Sequence, residues 1–160
     1  MSITIASGMR LTPARLNRLA PKVARKTASQ VVNNSATFVN DTALSVPVEA
    51  NALYKAHLYI VQNSNTTADF KYQFSAPAGT TLTNWTFMSG NTANWTTIIA
   101  PLGGVTGVNG IGADSPLNAW GIVAIGASGG SFTVQWAQNT PNVSDTTVKA
   151  GSFLELLRFA

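Results

Sequence analysis

"TADFKYQFSA", residues 67–76, alternates polar and apolar side chains from end to end. Ala68, Phe70, Tyr72 and Phe74 fall on one side of an extended chain, and Asp69, Lys71 and Gln73 fall on the other. A period of two with bulky apolar residues on one side marks a half-buried strand. The same pattern runs outward in both directions. "ALYKAHLYIVQN", residues 52–63, is longer and apolar on both sides, as a central strand would be. "SFTVQWAQ", residues 131–138, turns Phe132, Val134 and Trp136 to one side. "GSFLELLRF", residues 151–159, sets Phe153, Leu157 and Phe159 against Leu154, Leu156 and Arg158. Gly- and Pro-bearing turns separate these runs: "SAPAGTT" at 75–81, "ASGGS" at 127–131, and a long loop expected over "LGGVTGVNGIGADSP", 102–116. Eight to ten short strands with no helical period among them predict an all-β chain, an antiparallel β-sandwich of jelly-roll type over residues 27–160. "TNWTFMSG" and "ANWTTIIA" repeat Asn-Trp-Thr ten residues apart, which predicts a hairpin pairing Trp85 with Trp95. Two copies are too few for a repeat array.

The first twenty-six residues differ from that body. "SGMRLTPARLNRLAPKVARK", residues 7–26, holds Arg10, Arg15, Arg18, Lys22, Arg25 and Lys26, six of the ten Lys and Arg in a chain of net charge +4. The body is therefore slightly acidic, and the high isoelectric point belongs to an arm that meets an acidic partner. Thr12 as N-cap, Pro13 at the first helical position and a Leu11–Leu16 staple predict a short helix ending near Ala20, before Pro21. Leu16 and Leu19 share one face of it. Two turns of helix do not hold alone, so this arm must dock. The arm lacks an aromatic residue to stack on bases, which argues against nucleic acid, and two leucines are too small a face for a membrane surface. An acidic protein surface fits best. "MSITIASGM" lacks a cationic start followed by a long apolar run, so a secretory signal is not expected.

Chemistry-bearing residues are sparse. Charged residues are 10% of the chain, against about 25% in ordinary soluble proteins. Cysteine is absent, which excludes disulfides and thiolate metal sites, and one histidine without cysteine makes a poor zinc site. His57 sits in "YKAHLYI", where a packed or interface histidine is the expected role. No G-x-S-x-G accompanies it, and the glycines of residues 103–112 match no phosphate-binding pattern. The six acids show no close pair in sequence. A non-enzymatic protein with no cofactor and no metal is the expectation.

"KYQFSAPAGTT" (71–81) and "FTVQWAQNTPNVSDTTVKAGSFLELLRF" (132–159), with "ARLNRLAP" (14–21) and "ASQVVNNSATFVNDTALSVPVEANALY" (28–54), resemble the small β-sandwich virion proteins of tailed bacteriophages, especially those of actinobacteria. That resemblance covers most of the chain through structural motifs and marks no active site. It implies a TNF-like jelly roll that forms homotrimers and serves as a capsid decoration or minor capsid protein, bound to the major capsid protein or another virion protein. The density of cations in the arm favours an anchor on the capsid surface, formed by Arg10, Arg15, Leu16, Arg18, Leu19, Lys22, Arg25 and Lys26. A minor tail or receptor-binding module, touching host glycan through aromatics such as Trp120, is the alternative. Bulk on both sides of the last strand predicts an oligomer interface at Phe153, Leu154, Leu156, Leu157 and Phe159.

Overall fold

The computed structural model describes residues 12, 20–90, 96–98 and 102–159. Every regular element in them is a strand. The twelve are β1 (Lys22–Arg25), β2 (Gln30–Val32), β3 (Val39–Val48), β4 (Leu53–Asn63), β5 (Phe70–Ser75), β6 (Thr81–Ser89), β7 (Thr96–Ile98), β8 (Thr106–Val108), β9 (Asp114–Ala124), β10 (Gly130–Gln138), β11 (Thr146–Val148) and β12 (Phe153–Arg158). They form two antiparallel sheets. The larger runs β1-β12-β4-β9-β6-β7, with β11 beside β4 and β2 beside β11. The smaller runs β3-β10-β5-β8. The two-layer all-β expectation holds, and the helix expected over residues 13–20 falls almost wholly outside the described residues.

The alternation in burial read in residues 68–74 is the structure's own, although β5 starts at Phe70 and Asp69 just before it turns with φ of 51°. Ala68, Phe70, Tyr72 and Phe74 are buried, as are Phe132, Val134 and Trp136 of β10 beside them. Facing them from the larger sheet are Tyr54, Ala56, Leu58 and Ile60 of β4, Leu117, Ala119 and Val123 of β9, and Leu154 and Leu156 of β12. Trp85 of β6 bridges the layers: its indole N–H donates to the Tyr72 hydroxyl at 3.0 Å, and its ring meets Phe74 edge-on at 4.9 Å. Burial pushes the Tyr72 hydroxyl up to about 12, against the pull of hydrogen bonds from Trp85 and Thr106.

A bulge puts Trp85 there. Between Thr83, opposite Ile122, and Thr86, opposite Trp120, β6 carries one residue more than β9. Asn84 absorbs it with φ of 53°, a conformation that asparagine tolerates better than most residues. The neighbouring position on β9 is Gly121, where a Cβ would lie 2.4 Å from Cε3 of Trp85. The glycine is the space the indole fills.

Four expectations change. Twelve strands form among the described residues where eight to ten were expected, β1, β2, β7, β8 and β11 being only three or four residues long. The sheet begins at Lys22 rather than after residue 26, because Lys22–Arg25 pair with β12 along its free side. Part of the loop expected over 102–116 is strand, since Thr106–Val108 close the edge of the smaller sheet against β5 and residues 114–116 already belong to β9. The β6–β7 hairpin is present, but its register sets Trp85 opposite Ile98, and residue 95 lies outside the described residues.

Candidate functional site

The two outer faces of the molecule differ in chemistry. On the smaller sheet, side chains pointing away from the core form a neutral polar ladder. Gln73 donates to Gln135 at 2.7 Å, Gln135 donates to Asn40 at 2.7 Å, and the Ser45 and Thr133 hydroxyls pair at 2.7 Å. Lys71 adds the charge of this face, with its ammonium 4.9 Å from the Phe38 ring. Amides and hydroxyls that satisfy one another across strands need only water above them.

The outer face of the larger sheet is aromatic. β4 and β9 lie in register, with His57 opposite Trp120 and Tyr59 opposite Asn118. β12 sets Phe153 beside Tyr59 and Glu155 beside His57. Being consecutive odd positions of one strand, His57 and Tyr59 project to the same side, away from the buried Ala56, Leu58 and Ile60. The His57 and Trp120 rings are stacked at 5.0 Å and 8°. Phe153 meets His57 at 5.1 Å and 88°, and Tyr59 at 5.5 Å and 23°. Nε2 of His57 donates to Oδ1 of Asn118 at 2.7 Å, which fixes the imidazole in the row. Met88, Val61, Ile122 and Leu157 extend the patch, all of them partly exposed. Formal charge sits around it: Arg25 and Lys55 are exposed, and Glu155 is partly so.

His57 thus holds a packed place in a ring ladder. Its imidazole bonds to the Asn118 amide, and its ring neighbours are Trp120 and Phe153. Among the described residues no three His, Asp or Glu side chains gather as metal ligands would, and no helix is long and apolar enough to cross a membrane.

The residues expected to anchor the arm separate into two groups. Arg10, Arg15, Leu16, Arg18 and Leu19 lie outside the described residues. Lys22 and Arg25 belong to β1 and Lys26 follows it directly, and their roles differ. Lys22 donates to the Pro47 carbonyl at 3.0 Å and pairs with Glu49 at 3.3 Å. Arg158 pairs with the other Glu49 oxygen, so one carboxylate ties β1 to β12. Slight desolvation raises Glu49, but hydrogen bonds and charge from Lys22 and Arg158 outweigh it and hold the carboxyl below its usual range. Lys26 is 3% exposed; its ammonium donates to Asp41 at 2.7 Å and to Gln30 at 3.0 Å. That cation is engaged inside the fold. Arg25 is the one of the three that faces outward, opposite Phe153.

The terminal strand also divides. Leu154 and Leu156 are fully buried in the core of their own chain. Bulk on both sides of β12 therefore does not mean two surfaces awaiting a partner, because β12 is an interior strand between β1 and β4. Phe153 and Leu157 lie on the outer face, and Phe159, 42% exposed, follows at the strand's end. Sequence reading missed that Tyr59, His57, Trp120 and Phe153 meet on one surface. The signal was available within β4, in the odd-numbered run of Lys55, His57, Tyr59 and Val61, but strand order alone brings β9 and β12 beside it.

No family model and no curated protein matches this chain. Among solved structures there is a likeness to a chain of "the tripod (BppUct-A-L) from the baseplate of bacteriophage Tuc2009", at 10% identity and a TM-score of 0.36, covering 99% of this chain and 74% of that one. A score of that size fixes neither topology nor function.

Proposed function

We propose that this chain is a non-enzymatic structural protein of a bacteriophage virion, a homotrimeric capsid decoration or minor capsid protein held to the shell by the segment that precedes β1. The contrast between the two outer faces carries this reading. A polar, self-satisfied ladder suits display to water, and an aromatic face suits burial against a neighbour. The orders β1-β12-β4-β9 and β3-β10-β5-β8 support a TNF-like jelly roll, with the β6–β7 hairpin as an addition at one edge. Lys22 is paired with Glu49 and Lys26 with Asp41, so the anchoring charge rests on Arg10, Arg15 and Arg18, with Arg25 at the rim and Leu16 and Leu19 as the apolar contact. No cofactor, membrane or nucleic acid enters this reading.

Burying two leucines is worth at most about 3–6 kcal/mol before the segment's ordering cost, whereas exposed ion pairs add about 0.2–1 kcal/mol each. Leu16→Ala with Leu19→Ala should therefore weaken attachment to particles more than Arg15→Ala with Arg18→Ala. The opposite ranking, with binding that collapses as salt rises, would point to nucleic acid and sink the anchor. Mass spectrometry of purified particles tests the location: hundreds of copies indicate the capsid, a handful the tail, and absence overturns the virion reading. The second reading, a tail module that touches host glycan, draws on the partly exposed Trp120 of the larger sheet.

A further inference from the structure

We infer that the outer face of the larger sheet is the contact between copies of this chain, with the Phe153–His57–Trp120 ladder at its centre. This rests on the homo-oligomer reading above and names its surface, which is not the terminal strand by itself.

Three observations select a second copy as the occupant. The centre of the face, Tyr59, His57, Asn118, Trp120 and Phe153, carries no permanent formal charge, so it suits neither phosphate nor a strongly acidic or basic partner. Its rim carries both signs: Arg25 stands across from Phe153 on β1, Glu155 is beside His57, and Lys55 precedes it on β4. In a rotationally symmetric assembly, Glu155 of one copy can meet Arg25 or Lys55 of the next, so one surface supplies both halves of the contact. The third observation concerns the rings. A sugar stacks on an open aromatic face, but Trp120 and His57 cover a face of each other at 5.0 Å and 8°, and Phe153 closes on His57. The hydrogen bond to Asn118 holds the imidazole in that row, so opening it for a sugar would break a 2.7 Å contact. A packed, partly dehydrated ring cluster is the form that the centre of a protein–protein contact takes.

The test uses the full chain in sedimentation velocity at micromolar concentration. Trp120→Arg places a charge in the centre of the face without touching the core, and Tyr59→Lys does the same on β4 should the first variant fail to fold. Ser75→Arg, exposed on the smaller sheet, is the control. The expected result is an oligomeric wild type and an oligomeric Ser75→Arg. Both face variants should then associate about 30-fold or more weakly, the scale of a buried anchor, with unchanged circular dichroism. Folded Trp120→Arg and Tyr59→Lys chains that remain oligomeric would overturn the inference while leaving the oligomer reading intact. A monomeric wild type would refute that reading, and binding of cell-wall saccharide through Trp120 would hand the face to a glycan instead.

Discussion

Removing the Asp41 carboxylate should be among the most damaging single changes in this protein. Asp41 and Lys26 form an ion pair with side chains 0% and 4% exposed, and the Asp41 oxygens also accept from the Trp136 indole at 3.3 Å and the Ala43 amide at 3.2 Å. Asp41→Ala would leave an ammonium in the interior held by the neutral Gln30 amide, and would take the carboxylate away from the Trp136 indole N–H as well. Breaking one side of a buried pair costs roughly 3–5 kcal/mol, whereas replacing both sides with apolar groups is often neutral or better. In a chain of this length each kcal/mol moves the midpoint by about 2–4 °C, so melting should fall by on the order of 10 °C. Urea unfolding at pH 7 and fixed protein concentration measures the loss, and Lys26→Met with Asp41→Leu should recover most of it. The result has a functional edge, because Lys26 belongs to the cationic stretch that composition assigns to anchoring. Were Asp41→Ala to cost under about 1 kcal/mol, with Lys26→Met instead releasing the protein from particles, the buried-pair reasoning would be wrong.

Gly121→Ala drives a methyl into the Trp85 ring, where the Cβ would lie 2.4 Å from Cε3, and should destabilise by roughly 1–3 kcal/mol, read as a lower urea midpoint. Tyr72 titrates near 12 when folded and near 10 when unfolded, so the unfolded chain loses its proton first. Stability should therefore fall as pH rises from about 10 to 12, and Tyr72→Phe should flatten that slope while lowering stability at pH 7. Glu49 has the opposite sense: its lowered value means that its contribution is present above its unfolded range and is lost as pH falls through the folded value. Its side chain is 45% exposed, so Glu49→Gln should cost no more than about 1 kcal/mol at neutral pH and reduce acid sensitivity. Deleting residues 1–21 should leave a folded domain, whereas deleting 1–26 should lower the melting temperature markedly by uncovering β12 and stranding Asp41.

Features that depend on neighbours along the chain are legible without the structure. A two-residue period with bulky apolar groups on one side admits only a half-buried strand, so β5, β10 and the inner side of β4 were legible from residues 68–74, 132–136 and 54–60. The separation of a basic N-terminal stretch from a nearly neutral body was equally legible, being composition. Features that depend on which strands lie side by side are not legible in that way. Whether Lys22–Lys26 belongs to an arm or to the sheet turns on the long-range pairing of β1 with β12, and on Asp41 as a buried counter-ion fifteen residues away. Neither leaves a local period. Leu154 and Leu156 looked like surplus bulk because the strand that makes β12 interior comes from the other end of the chain. The aromatic face has the same origin. His57, Trp120 and Phe153 are far apart in sequence, and strand order and register, fixed by the packing of the whole core, make them one surface.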